Sequence, residues 1–247
     1  MKRSFLALLS VLVVSLCASH SAFAKQRIYL LAGQSNMMGF GKTYHLPATF
    51  KQTPNNVTFY YQGRPRKLAR YSHFGPEVSF AHHVARAFPQ DEHIIVKFAA
   101  TGSHIQQWMP GQPLYQGMLR QLGFSIKEKN PNIEAIVWMQ GESDAISQAR
   151  ASQYSNHLRR FVVNLRKDLK SPHSLFIMGE INPVGKGFPL VKSIQNSQRQ
   201  IRSQVRNVIL TPAEGLGKIF DHTHYSAQGQ MELGKRFANA YIQRIKK

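Results

Sequence analysis

The sequence predicts an α/β fold in which a mostly parallel sheet is covered by helices on both faces. Three observations carry this. Short, uniformly apolar runs recur along the chain, amphipathic stretches with helical spacing separate them, and the polar motifs sit directly after the runs. At 247 residues with 43% hydrophobic and 18% charged residues, the chain has the composition of a globular protein with a sizeable core.

The apolar runs at 28–32, 94–99, 133–139, 175–179 and 208–210 are too short for surface helices and read as buried parallel strands. A weaker run covers 57–61. After Gly75-Pro76, apolar residues Val78, Ala81, Ala85 and Phe88 recur at helix spacing, and proline suits a first turn. Leu114, Met118, Leu122 and Ile126 follow Pro113 in the same way. Leu158, Phe161, Val162, Leu165 and Leu169 form the clearest stripe. Leu190, Val191, Ile194 and Ile201 form a weaker one, and Leu233, Phe237, Tyr241 and Ile245 close the chain. The stretch from Gly39 to Phe74 fits the alternation poorly. It is aromatic and basic, and is placed to cover a site.

Residues 1–24 stand apart. Lys2 and Arg3 precede an apolar run ending at Cys17, and Ala22-Phe23-Ala24 offers a small-x-small exit. This is the pattern of a cleaved export signal, with a single domain expected over 25–247. The apolar run is shorter than the ~20 residues of a bilayer crossing, so no transmembrane anchor is expected. Cys17 acylation is disfavoured by Leu16 in a place where a small residue is usual. Cys17 is also the only cysteine, so the processed chain has no disulfide, thiol-nucleophile or cysteine–metal chemistry. The net charge of +20 attracts polyanions. For an exported protein the partners this suggests are acidic polysaccharide or an anionic surface, with no nucleic acid expected as partner. Apart from Arg64, Arg66, Lys67 and Arg70 the cations are scattered, which favours a solvated basic surface with no specific partner.

In open α/β sheets, ligands bind beyond the carboxyl ends of the strands. Gly33-Gln34-Ser35-Asn36 follows the first strand, a position that sets a serine hydroxyl beside free backbone N–H groups. It is not a Gly-x-Ser-x-Gly elbow, because Met37 takes the last place. Gly41-Lys42-Thr43 resembles the end of a phosphate loop, but Asn36 stands where that loop needs glycine. "AATGSHIQQW" follows the second strong strand. There Gly102 permits close approach and offers an N–H, and Trp108 is either a sugar-stacking face or a core residue. "VWMQGESDA" follows the third strong strand, where the Gln140 amide has the right chemistry to donate to an oxyanion. Glu142 either accepts hydrogen bonds from loop backbone, caps the next helix, or supports a histidine. "DHTHYSAQG" precedes the last helix, and Asp221 and His224 are spaced so that a carboxylate can orient an imidazole base. His222 and His224 alone supply too few ligands for a metal site, so neither metal nor cofactor is expected.

The blocks "AGQSNMMG", "FGPE", "ATGSHIQQW", "WMQGESDA" and "DHTHYSAQGQMELGKRFA" together resemble the SGNH-type hydrolases. Within them they are most similar to the sialate O-acetylesterase-like branch, also called carbohydrate esterase family six, which includes acetylxylan esterases. The resemblance runs from about Arg27 to the C-terminus. It implies a three-layer α/β/α sandwich with a flavodoxin-like sheet, and cofactor-free removal of acetyl groups from carbohydrate. It implies Ser35 as nucleophile, Asp221 and His224 as its partners, and an oxyanion hole from the Ser35 N–H, Gly102 and Gln140. One departure is Thr101-Gly102-Ser103, where the family often has Gly-Gly-Thr. The expected substrate is a sialate or an acetylated polysaccharide, with the charge favouring an acidic glycan. The acyl-chain preference and the oligomeric state are not legible. The competing reading is a catalytically idle carbohydrate-binding or adhesion module on the same scaffold.

Overall fold

The computed structural model describes residues 24–128 and 130–247, so the export signal proposed for residues 1–24 lies outside it save for Ala24. In chain order the elements are β1 (Gln26–Gly33), α1 (Ser35–Met38), β2 (Gly41–Lys42), α2 (Ala48–Lys51), β3 (Val57–Tyr61), β4 (Arg64–Arg66), β5 (His73–Phe74), α3 (Glu77–Ala87) and β6 (Glu92–Ala99). They continue with α4 (Pro113–Ser125), β7 (Ile133–Met139), α5 (Gln148–Asp168), β8 (Leu175–Gly179), α6 (Val191–Gln204), β9 (Val208–Thr211) and α7 (Ala227–Ile245).

Seven strands form one sheet in the order β4-β3-β6-β1-β7-β8-β9. All its pairings are parallel except β3 with β4, which closes one edge antiparallel. The five strong apolar runs are thus β1, β6, β7, β8 and β9. The weaker run is β3, inserted beside β6 in register Val57 with His93. β4 has no apolar run to announce it, and β2 with β5 makes a separate two-stranded ribbon.

The helices pack on both faces, giving an α/β/α sandwich. Tyr29 of β1 packs edge-on against Phe80 of α3 and Tyr241 of α7, each 5.1 Å away between ring centroids. On the opposite face Trp138 of β7 meets Phe161 of α5 at 4.5 Å and Trp108 at 5.0 Å. These aromatic layers are sealed from solvent, so their apolar area contributes fully to folding. Trp108 therefore belongs to the core and is no sugar platform; its Nε1 donates to Ser103 Oγ at 3.0 Å. At the amino end of the sheet, Arg27 binds Asp91 (2.6 Å) and Tyr241 (2.8 Å), which anchors β1 away from the edge that carries the motifs. Among the described residues no helix is long and apolar enough to cross a membrane.

Candidate active site

β1 ends on Gly33, whose φ of +149° and close approach to β7 leave no room for a side chain. A Cβ there would collide with the Met139 carbonyl, which also accepts the Gln34 N–H at 2.9 Å. This turns the chain off the sheet and begins the single turn of α1 at Ser35. Ser35 is 5% exposed. Its N–H has no partner among the described residues, while its carbonyl accepts the Gly39 N–H at 2.8 Å. The end of β6 is tied to the same place, because Ala100 N–H donates to the Gly33 carbonyl at 2.9 Å. Gly102 follows in a left-handed turn with φ +69°, exposed and facing open space. That conformation suits glycine and leaves its N–H unpartnered among the described residues.

Asp221 and His224 lie at the tip of a hairpin-like loop. Lys218 bridges Tyr225, and Ile219 N–H donates to the His224 carbonyl at 2.9 Å. Asp221 Oδ1 accepts the N–H groups of Thr223 and His224, each at 2.9 Å, and Oδ2 lies 2.6 Å from His224 Nδ1. Partial burial pushes the Asp221 carboxyl up, but these hydrogen bonds together outweigh it and hold the group below its ordinary value. An ionised Asp221 fixes the proton on Nδ1, leaving Nε2 as the basic nitrogen. Phe40 covers the imidazole face, with ring centroids 4.1 Å apart.

Asn36 joins the two halves. It donates to the Thr223 carbonyl at 3.2 Å and accepts the Tyr225 N–H at 3.1 Å. The residue after Ser35 thus grips both neighbours of His224, so serine and histidine occupy the same edge of the sheet. Asn36 Nδ2 also donates to Glu142 Oε1 at 2.7 Å. Glu142 is buried, which pushes its carboxyl up against the opposing effect of that bond, and its Oε2 has no side-chain partner among the described residues. It neither caps α5, which begins after Ser147, nor hydrogen-bonds the His224 ring. It accepts from its own loop backbone N–H, as one of the sequence readings expected, and steadies Asn36.

Gln140 is placed differently from the oxyanion donor expected of it. Its side chain is fully buried, and Nε2 donates inward to Asp144 Oδ2 (2.6 Å), Ser103 O (3.0 Å) and Gln34 Oε1 (3.2 Å). Two hydrogens shared among three acceptors leave nothing for a substrate. The physical reason is Asp144, a buried carboxylate one turn away that captures the amide. Gln34 is the side chain the sequence left without a role. Its Oε1 accepts both Gln140 Nε2 and the Gly141 N–H at 3.2 Å, while its own Nε2 is neither sealed from solvent nor partnered among the described residues. The signal for Gln34 and Asn36 was their place beside Ser35, where polar side chains interrupt an otherwise apolar strand end. His222 stands in a left-handed turn with φ +56°. Among the described residues no three His, Cys, Asp or Glu side chains cluster as metal ligands.

Residues 25–243 match the sequence profile of the family described as carbohydrate esterase, sialic acid-specific acetylesterase. The chain is 28% identical over 252 residues to an Arabidopsis thaliana protein named as a probable carbohydrate esterase, covering 90% of this chain and 92% of that protein. The crystal structure from the same plant superposes with a TM-score of 0.77 at 26% identity, over 89% of this chain and 98% of that one. The crystal structure of NanS superposes at 0.74 with 15% identity, over 90% and 98% of the two chains. A carbohydrate acetylesterase from Xanthomonas citri superposes at 0.67 with 17% identity, over 87% of this chain and 55% of that one. The last two likenesses are of fold.

Proposed function

The chain belongs to the carbohydrate esterases of the sialic acid-specific acetylesterase family, and from that premise we propose that it removes O-acetyl groups from carbohydrate by a serine mechanism. Its activity is that of a carboxylic ester hydrolase. The observation that carries the mechanism is the Asp221–His224 pair at 2.6 Å, held by Asn36 on the same edge as Ser35.

In this reading His224 Nε2 takes the Ser35 proton as Oγ attacks the acetyl carbonyl carbon. The negative charge that develops on the carbonyl oxygen is met by the N–H groups of Ser35 and Gly102. We assign the third donor to Gln34 Nε2, since Gln140 holds Gln34 by its oxygen and is itself occupied. The tetrahedral intermediate collapses, the sugar oxygen leaves with the proton from His224, and an acetyl–serine ester remains. Water attacks that ester, His224 accepts its proton, and acetate leaves as the proton returns to Ser35. Asp221 stays ionised throughout, which its lowered pKa favours.

The sialate or polysaccharide nature of the substrate is supported by the family description, and export by the pattern of residues 1–24. The test is acetate release from p-nitrophenyl acetate and acetylated glycans. Ser35→Ala should cut kcat by a factor on the order of 10⁴ or more while the protein stays folded. A Ser35→Ala protein that keeps the parent rate would remove the mechanism.

A further inference from the structure

The segment between α1 and α3 takes little part in the hydrolytic chemistry, yet it walls a cavity of about 280 Å³, near the lower bound of about 300 Å³ for small-molecule sites. Its floor is a buried ion pair. Lys97 Nζ donates to Glu77 Oε2 and to the Met38 carbonyl, both at 2.7 Å, and Glu77 Oε1 accepts the Gly75 N–H at 3.0 Å. The two charges cancel, and both oxygens of the only lining carboxylate are taken. The walls are aromatic: Tyr61 and Tyr71 stand edge to face at 5.8 Å, and the Tyr61 hydroxyl donates to Met38 Sδ at 2.9 Å.

The mouth carries Lys67 and Arg70, exposed and in no ion pair among the described residues. The turn between them runs through Ala69 at φ +55°. A left-handed backbone costs free energy in any residue with a Cβ, and such turns collect where a site is built. The uncompensated charge of the cavity is therefore the pair of cations at its mouth. That combination of two cations, tyrosine rings and modest volume suits an anionic group on a ring.

The cavity adjoins the chemistry. Met38 and Gly39 line it, one helical turn from Ser35. His73 on its wall meets Phe40 edge-on at 6.4 Å, and Phe40 in turn stacks on His224 at 4.1 Å.

We propose that this cavity is a subsite for the carboxylate of an acidic sugar, held by Lys67 and Arg70 while an acetyl group of the same sugar reaches Ser35. The proposal rests on the esterase reading of Ser35, and it makes residues 39–74 the selector of substrate charge. The test compares kcat/KM for O-acetylated N-acetylneuraminate, O-acetylated oligogalacturonate and O-acetylated xylotriose, in the parent and in Lys67→Ala/Arg70→Ala. In parallel, the deacetylated sugars are titrated into the Ser35→Ala protein, with and without the two changes. The parent should prefer an acidic substrate, and the acidic-to-neutral ratio should fall about tenfold in the double variant, through KM and not kcat. High salt should erode the parent's preference in the same direction. Which acidic sugar binds identifies the source of the carboxylate. Equal losses on acidic and neutral substrates, or acidic-sugar binding that survives both changes, overturns the subsite. If the parent releases no acetate from any substrate, the esterase reading falls, and the titration still decides the subsite.

Discussion

In the proposed mechanism, Gln34 is the side chain on which stabilisation of the oxyanion turns. Clamping its Oε1 from two sides fixes the amide plane, so a donor is aimed before substrate arrives and needs no reorganisation. Gln34→Ala should lower kcat by about 10²-fold or more with little change in KM. Gln140→Ala should instead show first as lost stability, about 1–3 kcal/mol, because Asp144 and the Ser103 carbonyl lose a buried donor. Steady-state kinetics and urea melts on both variants check this, and a larger kcat loss in Gln140→Ala at matched folding would reverse the two roles. The ambiguity has a physical origin. Both residues are amides at strand ends, and their direction depends on Asp144, Ser103 and Gly141, partners that come together only in the folded chain. The places of Ser35 and Gly102 at the edge of the sheet were legible because each follows a strand with its own apolar run, and the pairing of Asp221 with His224 because three residues separate them.

At the scale of elements, α3 and α7 are packed so closely that one glycine sets their spacing. A Cβ on Gly234 would strike the Pro76 carbonyl oxygen and lie 2.9 Å from Phe80 N and Ser79 Cβ. Gly234→Ala gains about 1 kcal/mol of helix propensity, but forcing two backbones apart costs about 1–3 kcal/mol. Its melting temperature should therefore fall, whereas Gly123→Ala, on an exposed face of α4 with nothing near, should rise. Equal shifts in thermal melts would remove the packing argument. The same contrast explains what could be read of the elements. β1, β7 and β8 are buried along nearly all their length, and beyond Gln26, Arg27 and Glu134 near the starts of the first two their sequences are apolar. β3 is only partly buried and its signal is weak. The two arginines and proline of β4 carry none. α5 begins ten residues before its stripe, since its first turns bury only Ala151 and Tyr154.

For the whole molecule, stability is linked to pH through Asp144. Burial pushes its carboxyl up from 3.8 to about 6, against hydrogen bonds from Gln140 and Ile105. A raised folded-state pKa contributes stability that is full below the unfolded value and is lost as pH rises through the folded one. The parent should therefore lose up to about 3 kcal/mol relative to Asp144→Asn between about pH 4 and pH 7. Asparagine keeps one oxygen for both donors that now converge on Oδ2. Asp221 and Asp91 act with the opposite sign and in a more acidic window, because their carboxyls are held low. Urea titrations at several pH values check this, and parallel curves for the two proteins would refute it. The antiparallel strand that ends the sheet carries a last consequence. Arg64-Pro65-Arg66 is three residues long, its middle residue has no N–H, and cations flank it. A stray strand from another molecule finds neither a ladder to zip onto nor a neutral surface to approach, so this rim resists fibril-like stacking at high protein concentration.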